Sequence, residues 1–347
     1  MKKILHNISA SAFFLTFIVN ASAASNTIPS ATPGFSVSVT GLALQPSASN
    51  LDYAVYTHPL PITTPNWTQL VIKPGYTPAV DIGLQYNFAD AATQVNLDWL
   101  YLSTSNSTSF SASGANSSVA PPYYFGPLAQ ALLGTSAKSS VQFQVSNVGV
   151  TLGHLINLGS HIQLDPFAGV SGGYLKQDLV STYVGTDSSA SPYSITSYNV
   201  SKFTGIGPRL GVNATYFITE HFGVSARFST SLFAGVIRTN TNFSSFGAGN
   251  HIPVYTGLAN QSENRVVPEF DSKLEMSYLM PMKGAQSSLS LAVGYLFSAY
   301  MNGINQVVPI TLVPGAFNGG TLAIETTGQS QSNLDLNGPY ASLIWKF

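Results

Sequence analysis

Glu269, Asp271, Lys273 and Glu275 follow one another at every second position. On an extended chain residues two apart share a face, so this spacing aims three carboxylates and one ammonium in the same direction. Arg209 and Arg227 fall in the matching phase of two other alternating stretches, and Asp81 and Asp98 in that of two more. Charges arranged in this way set up a local field that biases ion passage through a lumen. They brace a packed interior equally well by pairing with one another. Other chemistry is thin. Thr204-Gly-Ile-Gly-Pro-Arg-Leu-Gly211 has a glycine spacing superficially like that of a dinucleotide loop, but such a loop follows a strand and opens a helix. Pro208 and the alternation up to Tyr216 put this one inside a strand, where glycines suit curvature or close interior packing. His154, His161 and His221 fall in short connections and His58 and His251 in long ones, none matched with an orienting carboxylate on a strand. No catalytic constellation and no metal-ligand spacing results. Cysteine is absent, which excludes thiolate nucleophiles, disulfides and Cys-ligated zinc. The expectation is a chain that is no enzyme and takes no cofactor.

The elements that must position these charges are strands. Val80, Ile82, Leu84, Tyr86 and Phe88 alternate with Asp81, Gly83, Gln85 and Asn87, and the same period runs from Ile206 to Tyr216 and from Val266 to Tyr278. Period two marks a strand with one apolar and one polar face. Ten strands are predicted: 35–45, 79–88, 94–102, 140–152, 162–174, 203–217, 222–236, 266–278, 288–300 and 334–347. The connections between them alternate long and short, beginning with one of roughly 30 residues after the first strand. An outer-membrane barrel sorts its connections in this way, with long extracellular loops, short periplasmic turns and an even number of antiparallel strands. Twelve strands remain an alternative count. Two strands change phase: Phe35, Val37 and Val39 give way to Leu42 and Leu44, and Val141, Phe143 and Val145 to Val148, Val150 and Leu152. A bulge at Gly41 and another near Asn147 would restore the register.

Composition fits this all-β reading. Charged residues make up 8% of the 347 positions, against roughly 25% in soluble domains, yet mean hydropathy is only +0.18. A helical membrane protein is disfavoured. The formal net charge of -1 leaves no basic surplus for nucleic acid. In hydrocarbon every backbone polar group must be paired, which only helices and closed sheets achieve. Met1-Lys2-Lys3, the apolar run Ile8 to Val19 and the small residues Ala21 and Ala23 read as an exported leader cut after Ala23. The expected organisation is thus a cleaved signal peptide over 1–23 and a single barrel domain over 24–347, and loss of the leader takes the formal charge to -3. Tyr86, Phe88, Trp99, Tyr101, Tyr216, Phe217, Phe222, Tyr278, Tyr300 and Trp345 fall near strand ends, where aromatic girdles belong. Pro127 to Gly134, within a long connection, has the pattern of a short helix.

The chain closes on Leu343, Trp345 and a terminal Phe347 that share one face. This ending looks like the C-terminal assembly signal of bacterial outer-membrane barrels. Pro33-Gly-Phe, Leu44-Gln-Pro46, Asn50-Leu-Asp-Tyr53, Thr204 to Gly211, Arg265-Val-Val-Pro-Glu-Phe-Asp271, Gly294-Tyr295, Tyr300-Met-Asn and Gly338-Pro-Tyr340 resemble, in order and spacing, the Legionella-type major outer-membrane proteins, a pore-forming family. The resemblance spans nearly the whole mature chain and implies a passive diffusion pore for ions and small hydrophilic solutes. The family's disulfide-stabilised assemblies do not carry over to a chain without cysteine. Expected partners are outer-membrane lipid and lipopolysaccharide, the barrel-assembly machinery and a homo-oligomer, with no nucleic acid. In the inward phase Asp81, Asp98, Asp165, Glu269, Asp271 and Glu275 face Arg209, Arg227, Lys273 and Lys346, a small acidic surplus that predicts a mild cation preference. The rival expectation is a structural or adhesive barrel whose narrow interior is closed, filled by inward Leu296, Tyr300 and the charged row, and whose outer loops bind surfaces.

Overall fold

The computed structural model describes residues 27–29, 32–58, 67–90, 92–113, 117–122, 133–186, 192–247, 255–282, 287–314 and 322–347. The leader with Ala21 and Ala23, residues 127–132 of the predicted helix, and His251 lie outside them; Leu133 and Gly134, the end of that predicted helix, instead open a strand. The described elements are β1 (Gly34–Ala48), β2 (Asp52–Thr57), β3 (Trp67–Val71), β4 (Thr77–Asn87), β5 (Thr93–Ser111), β6 (Ser118–Ala120) and β7 (Leu133–His154). They continue as β8 (Ile156–Leu158), β9 (Ile162–Thr186), β10 (Pro192–Phe217), β11 (Phe222–Gly247), β12 (Tyr255–Pro281), β13 (Ser288–Pro314) and β14 (Leu322–Lys346).

The main sheet closes on itself. Antiparallel pairing runs β1-β4-β5-β7-β9-β10-β11-β12-β13-β14, and β14 pairs back onto β1 from Ser36–Lys346 to Ala48–Leu334. The last residue completes the seam: the Phe347 amide donates to the Phe35 carbonyl at 2.9 Å and the Phe35 amide to the Phe347 carbonyl at 3.1 Å. Ten strands form the ring, while β8 only extends the edge of β9. All ten predicted strands are present, and their ends agree closely at the short-turn side, the periplasmic one. At the opposite side they run on. β9 to β14 continue far into what the sequence suggested as loops, so that the connections are mostly strand.

Neither bulge exists. β1 pairs β4 without a break through Gly41–Val80, and β7 pairs both neighbours without a break through Asn147. The phase changes have another cause: the apolar side of the wall exchanges faces with height. On β7, Val148, Val150 and Leu152 are exposed on the outside, while Val141, Phe143 and Val145 are buried inside. β1 repeats this with Val39 exposed outside and Leu42 and Leu44 buried inside. On β5, Leu97 and Trp99 face out, and above them Ser103, Ser105 and Ser107 take the outer positions while Leu100 and Leu102 turn inward.

The barrel therefore has two storeys. In the lower one an apolar band, such as Ile206, Leu210, Val212 and Tyr216 on β10, matches the roughly 9–11 tilted residues that cross a bilayer. Above it β10 continues from Thr204 to Pro192, a rise of about 30 Å at roughly 3.3 Å per residue and a tilt of about 40°. This upper storey has a polar exterior and an apolar core, as a soluble protein does. Tyr86, Phe88, Trp99, Tyr216, Tyr278 and Trp345 are exposed at the margins of the band, whereas Tyr300 is fully buried inside and does not belong to the girdle. β2, β3 and β6 form a separate small sheet, whose Tyr53, Ala54 and Val119 are buried in one apolar cluster with Leu44, Val141 and Tyr183 of the ring. Asn50 and Gln177 exchange side-chain hydrogen bonds at 2.7 and 3.0 Å, and the Tyr183 hydroxyl donates to the Tyr53 carbonyl at 2.5 Å. These contacts tie the segment after β1 to β9, four places away around the ring.

Candidate functional site: the barrel interior

The eight strand charges singled out above all point inward, because each occupies the phase opposite to the lipid-facing residues of its strand. Inside, three levels of contents follow one another along the axis.

At the periplasmic end lies a polar cavity of about 230 Å³. Four carboxylates (Asp81, Asp98, Asp165 and Glu275) and two cations (Arg227 and Lys273) line it, among serines, asparagines and glutamines. Lys273 Nζ reaches Asp81 across the lumen at 2.8 Å. Glu275 accepts from the Tyr340 hydroxyl at 2.8 Å, and Asp165 from Gln94 Nε2 at 2.5 Å. The Arg227 guanidinium sits 4.7 Å from the centroid of the Phe167 ring, and among the described residues no carboxylate lies within ion-pair distance of it. Lys346 is at the periplasmic rim, half-exposed.

Above the cavity a belt of buried charge crosses the lumen. Arg209 donates to Asp98 through Nη1 at 2.9 Å and to Ser229 through Nη2 at 3.3 Å, and the same Nη2 lies 3.8 Å from Asp271. Asp271 accepts from Ser298 at 2.5 Å, and Glu269 accepts from the Asn147 side chain. The glycines between Thr204 and Gly211 make room for this packing. A Cβ on Gly207 would overlap the Leu232 carbonyl of β11, and one on Gly211 would overlap the Phe167 ring.

A septum of apolar side chains fills the third level. Leu44, Leu102, Phe143, Leu175, Phe203, Phe233, Val267, Leu296, Tyr300 and Leu334 are each at most 2% exposed, and they come from nine of the ten ring strands.

Sequence periodicity found the charges and, of the septum, the inward Leu296 and Tyr300; it missed the other members of the septum, as well as Asn147 and the Asn50–Gln177 tie. The signal was present in the phase changes of β1 and β7, which follow from the apolar face turning inward. Among the described residues no group of three or more His, Asp or Glu side chains is placed to hold a metal ion. His161 Nδ1 lies 2.8 Å from the Thr27 hydroxyl and 2.9 Å from the Phe217 carbonyl, and His154 is 3.4 Å from Thr93. Leu343, Trp345 and Phe347 face the lipid, exposed.

Among solved structures the chain is similar to the outer-membrane protease OmpT from Escherichia coli, at 11% identity and a TM-score of 0.44, covering 93% of this chain and 100% of that one. It is also similar to a Pseudomonas aeruginosa FadL homologue, at 7% identity and a TM-score of 0.28, covering 93% and 95%. No curated protein matches. The ten-stranded ring, its lipid-facing band and the match over residues 27–347 to the family described as the Legionella pneumophila major outer membrane protein precursor agree, and the chain belongs to that outer-membrane family.

Proposed function

We propose that the barrel passes ions and small hydrophilic solutes passively through its interior, and that the septum is a gate closed at rest. The observation that carries this reading is the charge-lined cavity below the septum. A purely structural barrel would gain more from an apolar filling: replacing buried ion pairs with well-packed apolar residues is often neutral or stabilising. Retaining Asp98, Arg209, Asp271, Asp81 and Lys273 inside is better accounted for by a polar path. Four lining carboxylates against two lining cations favour cations. On this reading the histidines serve turns and loops, and no step of covalent chemistry is involved.

The septum supports a second reading, a structural or adhesive barrel that never opens. The two separate in a swelling assay on liposomes carrying the refolded protein. Phe233→Ala and Tyr300→Ala remove two fully buried rings and should raise the influx of a small sugar well above wild type. Equal, absent swelling in wild type and both folded variants would favour the closed barrel.

A further inference from the structure

Three cations on the outer wall stand in one row. Lys176 on β9 is the direct cross-strand partner of Lys202 on β10, and Lys202 that of Arg238 on β11. All three take the outward phase, with Lys202 and Arg238 exposed and Lys176 about one-third exposed. Neighbouring strands lie about 4.8 Å apart, so three positive charges fall within about 10 Å. Like charges directly opposite one another destabilise a sheet. Little in the fold offsets that repulsion. Asp178 pairs with Lys176 at 2.6 Å, Lys202 Nζ rests 5.3 Å from the Tyr174 ring centroid, and among the described residues no carboxylate lies within ion-pair distance of Lys202 or Arg238.

The height of the row identifies what it meets. Immediately below it, in register, come Tyr174, Thr204 and Val236, and below those Gly172, Ile206 and Ala234. Val170, Ile206 and Leu232 are among the most exposed apolar side chains of the lipid band. The row therefore stands where the headgroups of the outer leaflet lie. Gln144 and Ser262 flank it on β7 and β12 in the same register, adding neutral hydrogen-bonding groups. On the far side of the barrel the outward charge just above the band is instead acidic, Asp335 on β14.

We propose that Lys176, Lys202 and Arg238 form a binding surface for the phosphate groups of a phosphorylated glycolipid of the outer leaflet, whose acyl chains lie on Val170, Ile206 and Leu232. Guanidinium and ammonium groups bind phosphate through charge-assisted hydrogen bonds, and a lipid-anchored phosphate is held beside the row by its own chains. A free anion has no such second contact. The surface is independent of the lumen and of the gate.

The test uses the refolded full chain in neutral detergent, with binding of deep-rough lipopolysaccharide read by native mass spectrometry. The double variant Lys202→Gln/Arg238→Gln should bind about 10- to 30-fold more weakly than wild type, given roughly a kilocalorie per mole for each basic residue at an anionic surface. Lys73→Gln, an exposed change on another face, should leave binding unaltered. Wild type should also bind phosphatase-treated lipopolysaccharide more weakly by a similar factor, a comparison that needs no variant to fold. Equal binding of the treated and untreated lipid, or equal binding by the folded double variant, would overturn the proposal. Competition by inorganic phosphate at the lipid's own concentration would overturn the assignment to a lipid.

Discussion

Arg209 carries the heaviest electrostatic load in the interior. Its side chain is 5% exposed, between Asp98 and Asp271. Removing one member of such a buried group strands its partners without a counter-charge, at a cost of about 3–5 kcal/mol. Arg209→Gln should lower the midpoint of urea unfolding in lipid vesicles accordingly, and adding Asp98→Asn should return part of the loss; no recovery in the double variant would show that the cost is steric. A second prediction concerns pH. Asp90, in the exposed turn between β4 and β5, accepts from the Thr93 hydroxyl at 2.6 Å, from the Thr93 amide at 3.0 Å and from the Ala92 amide at 3.2 Å. The Thr93 hydroxyl first, then these amides, holds its carboxyl below the usual carboxylate range. A group with a depressed native value stabilises above its ordinary value and loses that contribution as pH falls through the native one. Asp90→Ala should therefore unfold more readily than wild type at neutral pH, and the difference should shrink as pH drops below about 4; a gap independent of pH would assign the effect to turn geometry alone.

At the scale of the strand, the exchange of faces explains most of what the sequence revealed and hid. The lower halves of the strands alternate apolar-out and polar-in, which is why all ten were legible, down to the inward placement of Asp81, Asp98, Arg209, Arg227 and the charged row of β12. Above the band the outside becomes Ser, Thr and Asn while the inside becomes Leu, Phe and Tyr. The alternation persists but its meaning inverts, so the upper halves read as loops, and the inversion on β1 and β7 imitated bulges. Tyr300 reads both as a girdle residue near a strand end and as an inward filler; the strand runs on to Pro314 and the ring is buried, so only the inward reading holds. The glycines of β10 were legible as packing devices rather than as a nucleotide loop. Gly207→Ala must push β10 from β11 and should cost about 1–3 kcal/mol, measured by the same urea midpoint. Gly41→Ala, with nothing within 4 Å of the added methyl, should stay within about 0.5 kcal/mol of wild type. Similar losses in the two variants would contradict the close approach at Gly207.

At the scale of the molecule, one wall does two jobs. Its lower storey solves the membrane problem by keeping charge off the lipid face and gathering it inside; its upper storey buries an apolar core that stabilises a narrow barrel far above the bilayer. The 8% charge content reflects this arrangement, since a lipid-facing band tolerates few charges and the core tolerates fewer. The acidic balance of the lining predicts a cation-positive selectivity once the path opens, readable as the sign of the reversal potential in a salt gradient across a bilayer holding the septum variant. An anion preference would show that the lining charges do not set the field ions experience. The most direct test of the gated interior is single-channel recording in planar bilayers of wild type beside Phe233→Ala/Tyr300→Ala. Openings should be rare and brief in wild type and long-lived in the variant; a large, permanently open wild-type conductance that the variant leaves unchanged would contradict the septum as a gate, and silence in both would contradict the pore.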